Sequence, residues 1–195
     1  MAGAIEDTAV TGPAAEVRQV TILKCDLVGS TRTKSPLDLE GQLRFQTGFG
    51  DIISDFATRF EAYIERFEGD GAFLVFGLHQ PREDAAESAI RMALLLLETI
   101  RKTDIVPGVE LQIRIGLASG PIAAIRHLSN PRQDSVAGLT IDLAERLRAA
   151  SAPNQIFICD LTRRLASGYF GYIDLGIIPA KGFEGGVQAL SLIHI

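Results

Sequence analysis

Residues 19–31 read QVTILKCDLVGST. Gln19–Cys25 is mostly apolar and lacks a helical period, the pattern of a central strand covered on both faces. The run is predicted to end at Asp26, with Gly29-Ser30-Thr31 following as a turn. Ser35-Pro36 then reads as a helix start, serine as N-cap and proline in the first turn. Phe49, Ile52, Ile53, Phe56, Phe60 and Tyr63 follow at helical spacing and form a core-facing stripe. A β-hairpin comes next, Ala62–Phe67 and Ala72–Phe76, turned at Asp70-Gly71.

Further along, a second amphipathic helix is predicted from Arg82 to Lys102, with a turn over Asp104–Gly108. Val109–Ala118 and Pro121–Ile125 read as two strands, and His127–Asp134 as a loop. Thr140–Ala150 is a helix stopped by Pro153, and Gln155–Cys159 a strand. Asp160 reads as the cap of a short helix to Ala166, and Tyr169–Leu175 and Val187–Ile193 as final strands. The order β α β β α β β α β α β β mixes crossovers with hairpins. It implies an α+β or α/β sandwich, helices covering a largely antiparallel sheet.

The 195 residues are 47% apolar and 22% charged, ordinary globular values that exclude a disordered chain. No apolar run is long enough to span a membrane. A net charge of −5 argues against sequence-independent nucleic-acid binding, which needs excess cations. Residues 1–17 are small, polar and aperiodic, a flexible arm without the apolar core of a signal peptide, ahead of one domain over 18–195. Two cysteines, Cys25 and Cys159, suit a reducing compartment, so a cytoplasmic location is expected.

No Walker phosphate loop, GxGxxG turn or HExxH helix is present. His79, His127 and His194 stand alone and read as surface or satisfied histidines. Asp26 and Asp70 differ from the other acids: Asp26 ends the apolar first strand, and Asp70 sits in a tight turn between two apolar strands. If those strands are neighbours, both carboxylates emerge at one sheet edge and offer oxygen ligands to hard cations. The plain alternative is a strand terminator and a turn residue. Gly29-Ser30-Thr31 before a helix offers backbone N–H groups to a phosphate.

Five stretches, LKCDLVGST (23–31), RFEGDGAFLVFG (66–77), LQIRIGLASG (111–120), GLTIDLAERL (138–147) and AKGF (180–183), occur in the order seen in class III nucleotidyl cyclase catalytic domains. The chain resembles that family from about Val20 to about Leu190, bacterial members most closely. The resemblance implies a ferredoxin-like βαβ palm, α+β, with a central, mostly antiparallel sheet covered by helices. It implies a homodimer with its sites at the interface. By motif match, Asp26 and Asp70 would hold two Mg²⁺ or Mn²⁺ ions per site, and Val28, Gly29, Ser30 and Thr31 would cradle phosphates. Arg66 falls where the family has a purine-reading Lys, and Ser135 where it has that residue's partner. Asp142 replaces the transition-state Asn, Arg146 matches its Arg, and Lys181 matches the triphosphate-binding Lys.

The implied reaction is cyclisation of a nucleoside triphosphate, ATP foremost, with pyrophosphate leaving. Three departures bear on it. Between Gly120 and Gly138 the chain has Ile125-Arg126-His127 where the family usually has glycines, which implies a different loop beside the base pocket. A carboxylate at Asp142, placed about 5–6 Å from the phosphates at an effective dielectric of about 20, adds roughly 3 kcal/mol of repulsion. That is about two decades in rate. Arg66 presents a bidentate fork where Lys presents a point charge, so the base contact changes. The alternatives are a cyclase-like regulatory module that binds nucleotide or only dimerises, and a cyclase for GTP or a pyrimidine triphosphate.

Overall fold

The computed structural model describes residues 14–28, 39–103, 105, 111–126, 135–166, 170–180 and 182–193. Strands β1 (Ala14–Val28) and β4 (Gln112–Arg126) form the spine of the sheet. They pair antiparallel along their whole length, from Ala14 opposite Arg126 to Val28 opposite Gln112. β3 (Gly71–Phe76) lies on the other side of β1, and β2 (Tyr63–Glu68) beyond it. Helix α1 (Leu39–Arg59) carries the chain from β1 to β2, and α2 (Ala85–Lys102) from β3 to β4. The resulting β2-β3-β1-β4 order is the ferredoxin-like split βαβ arrangement.

The sheet then widens. β5 (Ser135–Ala137) pairs with the end of β4, and α3 (Leu139–Ala150) leads to β6 (Gln155–Cys159), parallel to β4. α4 (Asp160–Leu165) precedes β7 (Gly171–Ile178) and β8 (Val187–Ile193), giving the full order β2-β3-β1-β4-β6-β8-β7. The α+β class and the mostly antiparallel sheet are as expected.

Alternation along β1 divides the interior. Leu23, Cys25 and Leu27 join Phe45, Phe49 and Ile53 of α1 and Ala89, Ile90 and Leu96 of α2 in one core. Val20 and Ile22 join Phe73, Val75 and the α3 residues Leu143, Ala144 and Leu147 in the other. Lys24 and Asp26 continue the second row by their period of two. The α3 face of the sheet is therefore apolar at one end and charged at the other.

Gly116 on β4 lets α3 approach closely. A Cβ there would stand 2.3 Å from both the Ala144 carbonyl oxygen and the Arg148 amide nitrogen. Gly116→Ala should therefore cost about 2–3 kcal/mol, read as a lowered denaturant midpoint.

Several boundaries differ from the sequence reading. β1 begins at Ala14, inside the stretch read as an arm, and continues past Asp26 to Val28, because β4 supplies a partner for each of its residues. The two strands expected at Val109–Ala118 and Pro121–Ile125 are one strand, β4. Pro121 lies between the end of β6 pairing at Leu117 and the start of β5 pairing at Ala123, where its missing donor is tolerated. β5 itself was not expected. The cap of α4 is Cys159, whose sulfur accepts from the Thr162 amide, rather than Asp160. Residues 1–13, the helix start at Ser35-Pro36, His127, His194 and Lys181 lie outside the described residues.

Candidate active site

The hairpin brings the two singled-out aspartates together. Asp26 stands opposite Gly71, and the Leu27 amide donates to the Asp70 carbonyl at 3.2 Å. This approach depends on Gly71, since a Cβ there would stand 2.4 Å from the Cys25 carbonyl oxygen. Val28 ends the same strand opposite Gln112. Gly29, Ser30 and Thr31, the expected phosphate cradle, lie outside the described residues.

The Asp26 carboxylate is held by two cations. Arg114, its register partner on β4, donates from Nε at 3.1 Å and from Nη2 at 2.6 Å. Arg148 of α3 donates from Nη1. Arg148 is also hydrogen-bonded through Nε (3.1 Å) and Nη2 to Glu145, one turn back on its helix. Glu145 and Asp26 together hold the Arg148 proton more tightly than usual, against the opposing pull of partial burial.

Beside Asp26, Lys24 is almost fully buried and lies 3.0 Å from Glu68 and 3.5 Å from Glu145. Its ammonium sits 5.0 Å from the Phe73 ring centre, and the Arg66 guanidinium 4.9 Å from the same centre. Arg66 also donates to Glu68 from Nε at 2.8 Å. Arg66 is thus a guanidinium laid on an aromatic face and tied to a carboxylate. Burial opposes ionisation of Glu68, but the hydrogen bond and charge of Lys24, then those of Arg66, outweigh it and hold its carboxyl below the usual range. A carboxyl lowered on folding contributes stability above its ordinary value and loses it as pH falls through the folded one. Glu68→Gln should accordingly flatten the acid limb of a melting-temperature profile below the ordinary carboxylate range.

The remaining candidates collect elsewhere. Arg146, exposed on α3, lines a cavity of about 470 Å³ with Pro179, Ala180, Phe183 and Gly186, the segment that carries Lys181. Asp142 lies one turn before Arg146 and is exposed. Its place in the first turn of α3 also suits the helix dipole. Ser135 opens β5 opposite Ile125, exposed. Among the described residues, the α3 side chain that bonds Asp26 is Arg148, not Arg146. Two positions along a helix is about 200° of rotation, so the two arginines leave α3 on opposite sides.

The sequence reading missed Arg114, Arg148, Lys24, Glu68 and Glu145. Two signals were available. A lone lysine inside a twice-covered strand needs a partner. The alternation in LQIRIGLA buries Ile113 and Ile115 on one face and turns Arg114 to the face of Asp26. His79 packs edge-on against Tyr63 at 4.7 Å, and both cysteines are buried. Burial pushes the Cys25 thiol up to about 12, which removes it as a nucleophile. No helix among the described residues is long and apolar enough to cross a membrane.

The chain matches known proteins along most of its length. The family described as adenylate and guanylate cyclase catalytic domain matches residues 13–193. An uncharacterized protein of Rhizobium meliloti (strain 1021) is 30% identical over 171 residues, which cover 86% of this chain and 16% of that protein. The chain thus spans about a sixth of that relative's length. The guanylate cyclase domain of RhGC from Catenaria anguillulae, solved in complex with GTP, is 26% identical with a TM-score of 0.82, over 91% of this chain and 98% of that one. The adenylyl cyclase CyaB from P. aeruginosa has the same fold, with a TM-score of 0.85 at 22% identity over 93% and 97% of the two chains. Relatives of both base preferences therefore share this architecture. With a match running from before β1 to the end of β8, the chain belongs to the adenylate and guanylate cyclase catalytic domain family.

Proposed function

We propose that the chain is a nucleotidyl cyclase that converts ATP to 3′,5′-cyclic AMP and pyrophosphate as a homodimer. The observation that carries this reading is the separation of the candidate residues into two groups. Asp26, Asp70 and Arg114 gather at one sheet end, while Arg146 faces a cavity beside the Lys181 segment. Each group is half of what the reaction needs, and a head-to-tail pair of protomers would join one protomer's first group to its partner's second.

One carboxylate on β1 and another in the adjoining hairpin turn form an oxygen donor set that fits Mg²⁺ or Mn²⁺. Such ions, when bound, lower the pKa of the ribose hydroxyl and neutralise charge on the phosphates. Asp26 and Asp70 would hold them, with phosphate oxygens completing the shell. Arg114 lies beside Asp26 and would meet the polyphosphate with a planar fork. Arg146 would stabilise charge developing on the α-phosphate, and Lys181 the departing pyrophosphate. Val28 and the residues after it would approach the phosphates through backbone N–H groups. Arg66 and Ser135 would face the base.

Asp142 is the weak member of this set. Its carboxylate adds repulsion where negative charge grows. Asp142→Asn should raise the cyclisation rate by one to two decades, roughly, as the repulsion is removed. A small loss of stability, about 0.5 kcal/mol, should accompany it from the weaker interaction with the helix dipole. An unchanged rate would assign Asp142 another part.

A second reading, a regulatory module that binds nucleotide with little turnover, is favoured by the engagement of Arg66 with Glu68 and Phe73. Incubation with each of the four triphosphates and Mn²⁺, followed by mass spectrometry, separates the readings. Cyclic AMP from ATP supports the first. Nucleotide binding without any cyclic product supports the second, and another cyclic nucleotide as the main product would reassign the base.

A further inference from the structure

The Asp26 carboxylate has about four lone-pair directions to offer. Arg114 takes two of them and Arg148 a third. Both partners are largely covered: side-chain exposure is 17% for Arg148 and 19% for Asp26. The Arg148 fork is oriented by Glu145, which Lys24 holds in turn. Its backbone is seated against Gly116. This is a supported contact rather than a chance encounter of long side chains.

We propose that Arg148 is a resident counter-cation of Asp26, a positioning residue that holds the carboxylate while the site is empty and competes with a divalent ion for it. The inference rests on the reading of Asp26 as a metal ligand and adds a condition to it. With two guanidiniums already balancing one carboxylate, the charge that would attract a free divalent ion is neutralised. A triphosphate offers those guanidiniums another anion, and a planar fork binds phosphate oxygens as readily as it binds a carboxylate. Nucleotide arrival then releases a lone pair of Asp26, so that metal uptake is coupled to nucleotide binding.

The test is Mn²⁺ binding to the intact chain, followed by calorimetry and by the electron paramagnetic resonance signal of free Mn²⁺. It is run with and without a non-cyclisable ATP analogue. Arg148→Gln should bind Mn²⁺ alone about tenfold more tightly than the unaltered chain, the scale on which outer partners tune metal sites. The gain in Mn²⁺ affinity on adding the analogue should shrink by a similar factor. Asp26 keeps Arg114 in this variant, so the fold should survive, and circular dichroism checks that it does. Arg148→Lys keeps the charge without the fork and should fall between the two. Equal or weaker Mn²⁺ affinity in both variants, with Asp26→Asn still abolishing uptake, would overturn the role of Arg148 alone. Uptake indifferent to Asp26→Asn would overturn the metal-ligand reading itself.

Discussion

Asp70→Ala should lower cyclic-nucleotide formation by about three orders of magnitude, the several kcal/mol that metal-ion charge stabilisation supplies to such a transition state. The chain should stay folded, with no more than a small fall in melting temperature. The separation of the two effects follows from the hairpin. Asp70 contributes a backbone carbonyl to Leu27, and that bond survives truncation of the side chain. The turn itself is carried by its neighbours, Gly69 at a φ of +67° and Gly71 with no room for a Cβ. Asp26→Ala should abolish turnover equally but with lost stability, because it strips the shared anion from Arg114 and Arg148. Product formation by mass spectrometry and thermal unfolding on the same samples check both statements. A folded Asp70→Ala chain within tenfold of full activity would remove Asp70 from the metal site.

Mixing two dead chains should restore activity. Asp26→Asn removes the first group of residues and Arg146→Ala the second, and each homodimer should be inactive. Random pairing makes about half of the dimers heterodimers, each with one intact site of two, so activity should return to about a quarter of the unaltered level. The structure motivates the pairing, because Arg146 opens onto the Ala180–Gly186 cavity while its helix neighbour Arg148 turns to Asp26 of the same chain. A titration of one variant against the other, with activity measured at each ratio, should peak near equal amounts. A flat line, with both variants folded and dimeric, would place the whole site within one protomer.

The sheet was legible wherever local pattern sufficed. Gln155–Cys159 and Val187–Ile193 fall where apolar runs between turn residues placed them. The hairpin was legible too, but its two-residue turn is Gly69-Asp70 rather than Asp70-Gly71, because Gly71 already pairs with Glu68 at the start of β3. The boundaries that shifted were set by pairing. β1 extends to Ala14 and through Asp26 because β4 runs beside it, and β4 passes Pro121 because, among the described residues, that position falls between its pairings with β6 and β5. No local pattern records either fact. The site divided along the same line. Asp26 could be picked out as an acid closing an apolar run and Asp70 as a turn acid between two such runs, whereas Arg148 reaches Asp26 from 122 positions away in the sequence. Its partner Glu145 and the Lys24–Glu68 pair likewise required the sheet, the hairpin and α3 to be assembled first.

The seating of α3 on Gly116 fixes more than stability. With no gap beneath the helix, α3 can neither slide nor roll without lifting off β4, so Asp26 below it and Arg146 above it travel as one solid body. In a dimer of such protomers, the two groups of site residues would shift against one another only as whole protomers turn, like two blocks about a hinge, leaving the gearing inside each untouched.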